Sequence, residues 1–440
     1  MKIIDANSKN IFLKQLKSRN ENNNLNAEKA VLKIIEDVRK NGDEALKKYT
    51  HEFDKVMLDC FEVSKDEIEE ALIRTDKAII DSMKKSLANI RSYHKKQLKE
   101  TVRYKVEGKD IILGQIIRPI ERVGIYVPGG KASYPSTVFM NAIPAKIAGV
   151  KEVIMITPPN KDGSVDDKVL VAARLAGVDK IFKIGGAQGI AALAYGTETI
   201  PNVDKITGPG NIYVAIAKKI VSGIVGIDMI AGPSEVLIIA DEYANERYIA
   251  ADLISQAEHD ELAAAVLLTD SIKLANNVKK ELEIQVNNLS RREIIKKSLE
   301  NNGALIVLDS IRDCVKTAND IAPEHLEILT TNPFELYKGI KNAGAIFLGE
   351  YSPEPVGDYF AGPNHTLPTS QTARFSSPLG VDDFIKKSSI IYYGKEAFME
   401  CREDIIRLAE IEGLTGHANA IRIRRGDEQW KYEWRTVLKN

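Results

Sequence analysis

From Arg122 onward, short apolar runs alternate with helix-like segments, and this alternation constrains the fold more than any other feature. Strand-like runs occupy Val123–Val127, Val153–Thr157, Lys180–Ile184, Val236–Ala240, Ala264–Thr269 and Ala304–Leu308. Segments with helical spacing follow most of them, and glycine-rich turns open several of those helices. Parallel strands joined by helical crossovers produce this rhythm. The sequence therefore predicts an α/β fold with two doubly wound, Rossmann-like parallel-sheet domains.

The first hundred residues have a helical pattern instead. A helix is predicted from Ala27 to Lys40, where Asn41–Gly42 should stop it, and a capping-box pattern at Ser64–Glu67 opens an amphipathic run. The polar residues 21–24 suggest a linker after an N-terminal helical arm. Two alternating apolar stretches between Thr101 and Ile120 predict a hairpin.

These patterns divide the chain into four parts. We expect an N-terminal helical arm, a larger discontinuous α/β domain, a second α/β domain and a small C-terminal α+β arm. Their predicted boundaries are 1–23, 24–126 with 236–379, 127–235, and 380–440.

Composition excludes several classes of function. Among 440 residues, 61 basic and 62 acidic side chains leave a net charge of −1, which gives no reason to expect a nucleic-acid partner. Apolar runs are too short for a signal peptide or a membrane span. The few, widely spaced cysteines indicate no disulfide framework and fit a cytoplasmic protein: Cys60, Cys314 and Cys401.

Glycine-rich loops after two strands, Gly129–Gly130 and Gly185–Gly189, could bring backbone N–H groups close to a phosphate. Neither is a clean GxGxxG motif, and no acidic residue is well placed about 20 residues further on to bind a ribose. Tight turns in an α/β fold would explain both loops without a ligand.

Gln256 and His259 are three residues apart near the end of a helical pattern that starts around Asn245. On a helix they would point from one face and could supply half of a metal's ligands. A polar helix end is the alternative interpretation.

Other histidines lie in distinctive settings. His325 follows Pro323 and Glu324, where the proline suits the first turn of a helix and would place both side chains at its positive end. His365 and His417 lie in loops rich in glycine, with Asp358 and Glu412 nearby. Gln256, His259, Asp358 and His417 could build a mixed N/O site for zinc or a similar ion, leaving Glu324 and His325 for acid–base work.

At the level of motifs, the chain resembles the histidinol dehydrogenase family over essentially its whole length. The matching motifs are Tyr126–Gly130, Gly185–Gln188, Gly208–Asn211, Ala231–Glu235, Gln256–Asp260, Pro323–His325, Gly362–Thr369 and Glu412–His417.

The resemblance implies that L-histidinol is oxidised through the aldehyde to L-histidine, with two NAD reduced in turn. It implies that zinc is held by Gln256, His259, Asp358 and His417, and that His325 and Glu324 are catalytic. It implies NAD contacts from Tyr126, Gln188 and Asn211 in the second α/β domain, and substrate contacts that include Ser234, His365 and Glu412 as well as His325 and the zinc ligands. It further implies a homodimer in which each C-terminal arm completes the partner's active site.

Three alternatives stay open at this point. A relative of the same family could oxidise another small alcohol with the same residues. A zinc hydrolase could use a glutamate with a metal-bound water, although it would not need the glycine loops. A non-catalytic α/β binding module would not depend on Glu324.

Overall fold

The computed structural model describes residues 1–18, 25–129 and 133–424. The chain forms two compact units, one made of residues 1–98 and 119–385 and the other of residues 99–118 and 386–440. Among the described helices, none combines the length and apolar character that crossing a membrane requires. The linker predicted at residues 21–24 and the end of the predicted C-terminal arm, residues 425–440, lie outside the described residues.

Strands and helices alternate along most of the described chain. The strands are β1 (Lys2–Ile4), β2 (Val102–Lys105), β3 (Ile111–Pro119), β4 (Arg122–Tyr126), β5 (Glu152–Thr157), β6 (Lys180–Lys183), β7 (Lys205–Thr207), β8 (Gly226–Ile227), β9 (Glu235–Ala240), β10 (Ala264–Thr269), β11 (Ala304–Val307), β12 (His325–Leu329), β13 (Ala345–Leu348) and β14 (Ile385–Tyr393). The helices are α1 (Lys9–Ser18), α2 (Leu25–Asp54), α3 (Lys65–Arg74), α4 (Lys77–Lys95), α5 (Pro135–Ala148), α6 (Asp167–Ala176), α7 (Gly186–Tyr195), α8 (Ile212–Val221), α9 (Glu246–Ala257), α10 (Ile272–Val286), α11 (Arg292–Asn301), α12 (Ile311–Ile321), α13 (Pro333–Leu336), α14 (Glu354–Val356), α15 (Lys395–Ile411) and α16 (Thr415–Arg422).

The first unit contains two parallel sheets, which confirms the predicted fold class. One sheet has the strand order β6-β5-β4-β7-β8, and the other has the order β1-β11-β10-β9-β12-β13. All strand pairings within these two sheets are parallel. The division into four domains at the boundaries given above stays a prediction.

Apolar residues cover both faces of the second sheet. Along β9, Val236 and Ile238 belong to one core, whereas Leu237 and Ile239 belong to the core on the opposite face. Successive strand residues point to opposite faces, so a strand buried on both sides must be apolar throughout. For this reason the strands appear in the sequence as continuous apolar runs and not as alternating apolar and polar residues.

The N-terminal region differs from its prediction in two places. Lys2–Ile4 form an edge strand that pairs with β11, although the arm was predicted to be helical, because three residues are too few to show a period. Helix α2 bends at Gly42 and then resumes. Gly42 has a left-handed φ of 49°, and the Glu198 carboxylate accepts the N–H of Asp43 at 2.8 Å, which caps the second half.

Other local predictions are confirmed. Ser64 and Glu67 form the predicted capping box, which opens α3. In the second unit, β2 and β3 pair as the predicted antiparallel hairpin within a sheet of order β14-β3-β2. Helices α15 and α16 of that unit pack around Ile406, Ala409 and Ala418.

Candidate active site

Seven residues predicted for the site line one cavity of about 320 Å³ in the first unit. Tyr359 and Glu354 also line it, and the loop Gly208–Gly210 closes one side. The structure therefore gathers side chains that are far apart in sequence, from β9 through the segment after β13. The seven predicted residues are Ser234, Gln256, His259, Glu324, His325, Asp358 and His365.

Glu324 and His325 lie at the start of β12 and not at a helix N-terminus, so the predicted helix is wrong. Pairing with β9 sets their position, with His325 opposite Val236. The N–H of Glu235 donates to Oε2 of Glu324 at 2.8 Å, and Nδ1 of His325 lies 3.0 Å from the carbonyl oxygen of Glu235. One backbone residue of β9 thus orients both side chains.

The contact with Glu235 fixes the tautomer of His325. A carbonyl oxygen can only accept, so Nδ1 carries the proton and Nε2 carries the lone pair. Nε2 is buried and has no hydrogen-bond partner among the described residues. Burial, the largest cause, lowers the pKa of His325 to about 4, so the ring is neutral at pH 7. The arrangement presents a proton acceptor to the cavity.

Glu324 is a second proton acceptor with an unusual affinity for protons. Burial raises the pKa of its carboxyl group well above the ordinary value, and the charges of Glu235, Asp358 and Glu354 act in the same direction. The hydrogen bond from Glu235 N–H opposes the shift without cancelling it. A carboxyl group with a raised pKa is better matched to proton transfer near neutral pH.

A cluster of possible metal ligands lies beside this pair. One ligand atom each from His325, Glu354 and Asp358 falls within 4.8 Å of the others. Asp358 belongs to a π-helical turn, Gly357–Ala361, and its Oδ1 lies 4.0 Å from Nδ1 of His365. Burial and the charge of Asp358 raise the pKa of Glu354 to about 8, and burial raises that of Asp358 to about 6. A bound cation would relieve this cost of ionisation.

Glu354 was missed from the sequence. It opens the three-residue helix α14 between two prolines, four residues before Asp358, and it is buried. Its backbone N–H donates to Oε1 of the buried Glu327 at 2.8 Å, and the hydroxyl of Ser255 donates to its carboxylate at 3.0 Å. The helical spacing to Asp358 was the only local signal of a shared site.

Gln256 and His259 reach the cavity from the end of α9. The helix starts next to Asn245, as predicted, with Asn245 as its N-cap, but it ends at Ala257. His259 therefore lies in the turn that follows, where its N–H bonds to the carbonyl of Gln256 at 3.3 Å. Oε1 of Gln256 is buried without a partner among the described residues, as an amide that completes a coordination shell would be.

The remaining predicted residues of this site, Glu412 and His417, belong to the second unit. Glu412 ends α15, and His417 lies in the first turn of α16 and not in a loop as predicted. Both side chains are exposed. Their contribution to the site stays a prediction.

A second cavity of about 710 Å³ contains the three residues predicted to contact NAD, Tyr126, Gln188 and Asn211. It lies at the carboxyl ends of β4, β5 and β6, where open α/β sheets bind ligands. The hydroxyl of Tyr126 accepts the N–H of Gly186 at 3.2 Å, and Asn211 caps α8. Pro128 lines both cavities, so the two adjoin.

A buried ion pair, which was not predicted, holds the loop Gly208–Gly210 next to the two cavities. Lys218 pairs with Asp228, and both side chains are almost completely buried. Lys218 donates to the carbonyl of Gly208 at 2.9 Å, and Asp228 accepts the N–H of Gly208 at 2.8 Å. A Cβ at Gly208 would lie 2.2 Å from the carbonyl oxygen of Tyr126, so only glycine fits this approach.

Comparison with known proteins assigns the chain to a family. A model of the family described as "Histidinol dehydrogenase" matches residues 17–425. The histidinol dehydrogenase of Clostridium acetobutylicum is 56% identical over 413 residues, which cover 94% of this chain and 96% of that protein. That of Bacillus cereus is 53% identical over 95% of this chain and 97% of its own length.

A solved structure gives the same result. The crystal structure of histidinol dehydrogenase from Elizabethkingia anophelis matches with a TM-score of 0.87 at 40% identity, and the match covers 90% of this chain and 91% of that one. The chain therefore belongs to the histidinol dehydrogenase family and is an NAD-dependent oxidoreductase.

Proposed function

We propose that the protein oxidises L-histidinol through L-histidinaldehyde to L-histidine and reduces two NAD, which are the last steps of histidine biosynthesis. The observation that carries this proposal is the neutral His325, whose Nε2 faces the smaller cavity beside Glu324. Two proton acceptors side by side suit a reaction with two successive oxidations. The adjoining larger cavity offers room for a dinucleotide to accept the hydrides.

We propose a zinc ion as the metal of the smaller cavity, held by Gln256, His259, Asp358 and the partner subunit's His417. The orphaned Oε1 of Gln256 and the carboxylate of Asp358, the one proposed ligand that belongs to the cluster of His325, Glu354 and Asp358, fit a divalent cation. When bound, zinc would supply a fixed anchor for the amine and imidazole of the substrate.

In the first oxidation, Nε2 of His325 takes the proton of the alcohol while the carbinol carbon gives a hydride to NAD. The carbonyl of Glu235 holds Nδ1–H throughout, which keeps the ring in place and stabilises the imidazolium that forms. The products of this step are the aldehyde, NADH and a protonated His325.

In the second oxidation, Glu324 accepts a proton from the water that adds to the aldehyde. The hydrate, left as a gem-diolate when Glu324 holds that proton, gives its hydride to a second NAD and becomes the carboxylic acid, which releases its remaining proton to solvent to give the carboxylate. The raised pKa of Glu324 increases its affinity for that proton. Ser234, His365 and Glu412 are proposed to contact the substrate.

We further propose a cytoplasmic homodimer whose subunits share active sites through Glu412 and His417. Cys60, Cys314 and Cys401 are free thiols, which supports a reducing compartment. No nucleic-acid or membrane partner is proposed.

Substrate anchoring by the metal can be tested by calorimetry with L-histidinol alone, without NAD. Metal-loaded protein is expected to bind L-histidinol, and protein treated with a chelator is expected to lose that binding. Gln256→Ala should bind less metal and less L-histidinol, whereas Gln15→Ala, a matched change at an exposed glutamine, should match the unaltered protein. Equal binding of L-histidinol with and without metal would show that the metal does not anchor the substrate.

A further inference from the structure

One wall of the larger cavity comes from α2, a helix outside the parallel sheet. Its residues line only this cavity and not the smaller one that contains His325. The nicotinamide must approach the smaller cavity to accept a hydride, and the two cavities meet at Pro128. The wall made by α2 is therefore available to the adenosine half of a dinucleotide. Its lining residues are Ala30, Lys33, Ile34, Lys48, Tyr49, Glu52, Phe53 and Asp54.

Asp54 occupies an unfavourable place in this wall. It is the last residue of α2, where the negative end of the helix dipole disfavours a carboxylate, and Lys55 ends the helix with a left-handed φ of 63°. Its Oδ2 is buried and has no hydrogen-bond partner among the described residues. A carboxylate oxygen kept in this state costs stability, which makes a ligand that donates to it the natural explanation.

The surroundings of Asp54 also favour a ligand that donates a hydrogen bond to it. Burial raises the pKa of Asp54 to about 6. Burial also raises the pKa of Tyr126 to about 12, and the charge of Asp54 adds to that rise, so the two side chains are close. The cationic neighbours do not neutralise Asp54, because Lys48 pairs with Asp37 at 2.6 Å and no ion pair joins Asp54 to Lys33 among the described residues.

A dinucleotide-binding sheet normally supplies an acidic residue at the end of its second strand, where it binds the hydroxyls of the adenosine ribose. In this chain the second strand, β5, ends at Thr157 and continues into Pro158 and Pro159, which line the cavity. Prolines there offer no acceptor side chain. The carboxylate of Asp54 enters the same cavity from α2.

We propose that Asp54 accepts hydrogen bonds from the hydroxyls of the adenosine ribose of NAD and thereby excludes the 2′-phosphate of NADP. The proposal rests on the proposed use of the larger cavity for NAD. Phe53 lines the same wall with half of its surface exposed and stacks on Tyr49 at 5.7 Å, which offers an apolar face for the adenine ring.

The test measures dissociation constants of NAD and NADP by calorimetry on the full-length protein. Asp54→Asn and Asp54→Ala are expected to weaken NAD binding roughly 10-fold or more, the scale of a hydrogen bond to a charged group. The preference for NAD over NADP should fall by a similar factor. Glu44→Gln, which changes an exposed carboxylate of the same helix, should change neither value.

An NAD analogue that lacks the 2′-hydroxyl of the adenosine ribose tests the contact without a folding risk. The unaltered protein should bind the analogue more weakly than NAD, and Asp54→Ala should bind both alike. Equal binding of NAD and the analogue by the unaltered protein would overturn the ribose contact. If the unaltered protein bound no NAD at all, both the assignment of the larger cavity to NAD and the ribose contact would be wrong.

Discussion

Nδ1 of His325 lies 3.0 Å from the carbonyl oxygen of Glu235, a contact between the first residues of two paired strands. This single hydrogen bond determines which nitrogen of His325 faces the cavity. The N–H of Glu235 also donates to Glu324, so the geometry of both proton acceptors depends on the register between β9 and β12.

Replacement of His325 should remove the first proton acceptor. His325→Gln is expected to lower kcat by roughly 10²- to 10⁴-fold, the usual contribution of a general base, without changing the affinity for NAD. Steady-state kinetics and NAD binding would be measured together. His51→Gln, at an exposed histidine of α2, is the control, and a kcat for His325→Gln like that of the control would argue against the role.

Replacement of Glu324 should affect the second oxidation more than the first. A glutamine at this position can still accept the N–H of Glu235 through its amide oxygen, so the loop geometry should survive. Glu324→Gln is therefore expected to lose NADH formation from L-histidinaldehyde while the first hydride transfer from L-histidinol continues. Single-turnover kinetics with each substrate separate the two steps. An equal loss in both steps would contradict a role limited to water activation.

The buried pair of Lys218 and Asp228 should be costly to break. Lys218→Met leaves the buried carboxylate unpaired, and a loss of about 3–5 kcal/mol in the free energy of unfolding is expected. Adding Asp228→Asn should recover part of that loss, because the amide oxygen can still accept the N–H of Gly208.

Chemical denaturation measures these free energies. The matched control is Lys297→Met, which removes an exposed pair with Glu261 and should cost less than about 1 kcal/mol. Similar losses for the buried and the exposed lysine would show that the pair does not hold the loop.

The affinity for NAD should depend on pH through Asp54. Burial raises the pKa of this carboxyl group to about 6, so it binds a proton as the pH falls through 6 and then accepts hydrogen bonds poorly. NAD binding is expected to weaken between pH 7 and pH 5, and Asp54→Asn should abolish this dependence. Glu52 is the other carboxylate among the α2 residues that line the larger cavity, and Glu52→Gln should retain the pH dependence. The same pH dependence in both variants would assign it to another group.

Shared active sites should allow two inactive chains to complement each other. Gln256→Ala and His417→Ala each remove one proposed zinc ligand, so each homodimer is expected to be inactive. A hybrid dimer would contain one complete site, and mixing should restore part of the activity. If mass spectrometry demonstrates subunit exchange and the activity still does not recover, the sites are not shared.

The sequence predicted elements whose signals are local. The apolar strand runs, the capping box at Ser64 and the hairpin before Ile120 all appear as predicted. A proline suits both a helix start and a strand start, so Pro323 could not reveal that strand pairing places His325 on β12. Residues that act through distant neighbours, such as Glu354, have almost no local signal at all.

In the candidate site, too, prediction was limited to residues that have a local signal in the sequence. Of the site residues that motif resemblance named, ten line the two adjoining cavities, whereas Glu412 and His417 belong to the second unit. The resemblance named no residue of the supporting framework. The ion pair of Lys218 with Asp228 and the orphaned carboxylate of Asp54 depend on burial and on partners remote in sequence. Such features appear only after the chain has folded.

The most direct test of the proposed function counts NADH formed per L-histidinol consumed, with and without a chelator. The two proton acceptors and the metal-anchored substrate predict two NADH for each L-histidinol, and loss of the reaction when the metal is removed. One NADH with release of the aldehyde, or no NADH from L-histidinol at all, would contradict the proposal.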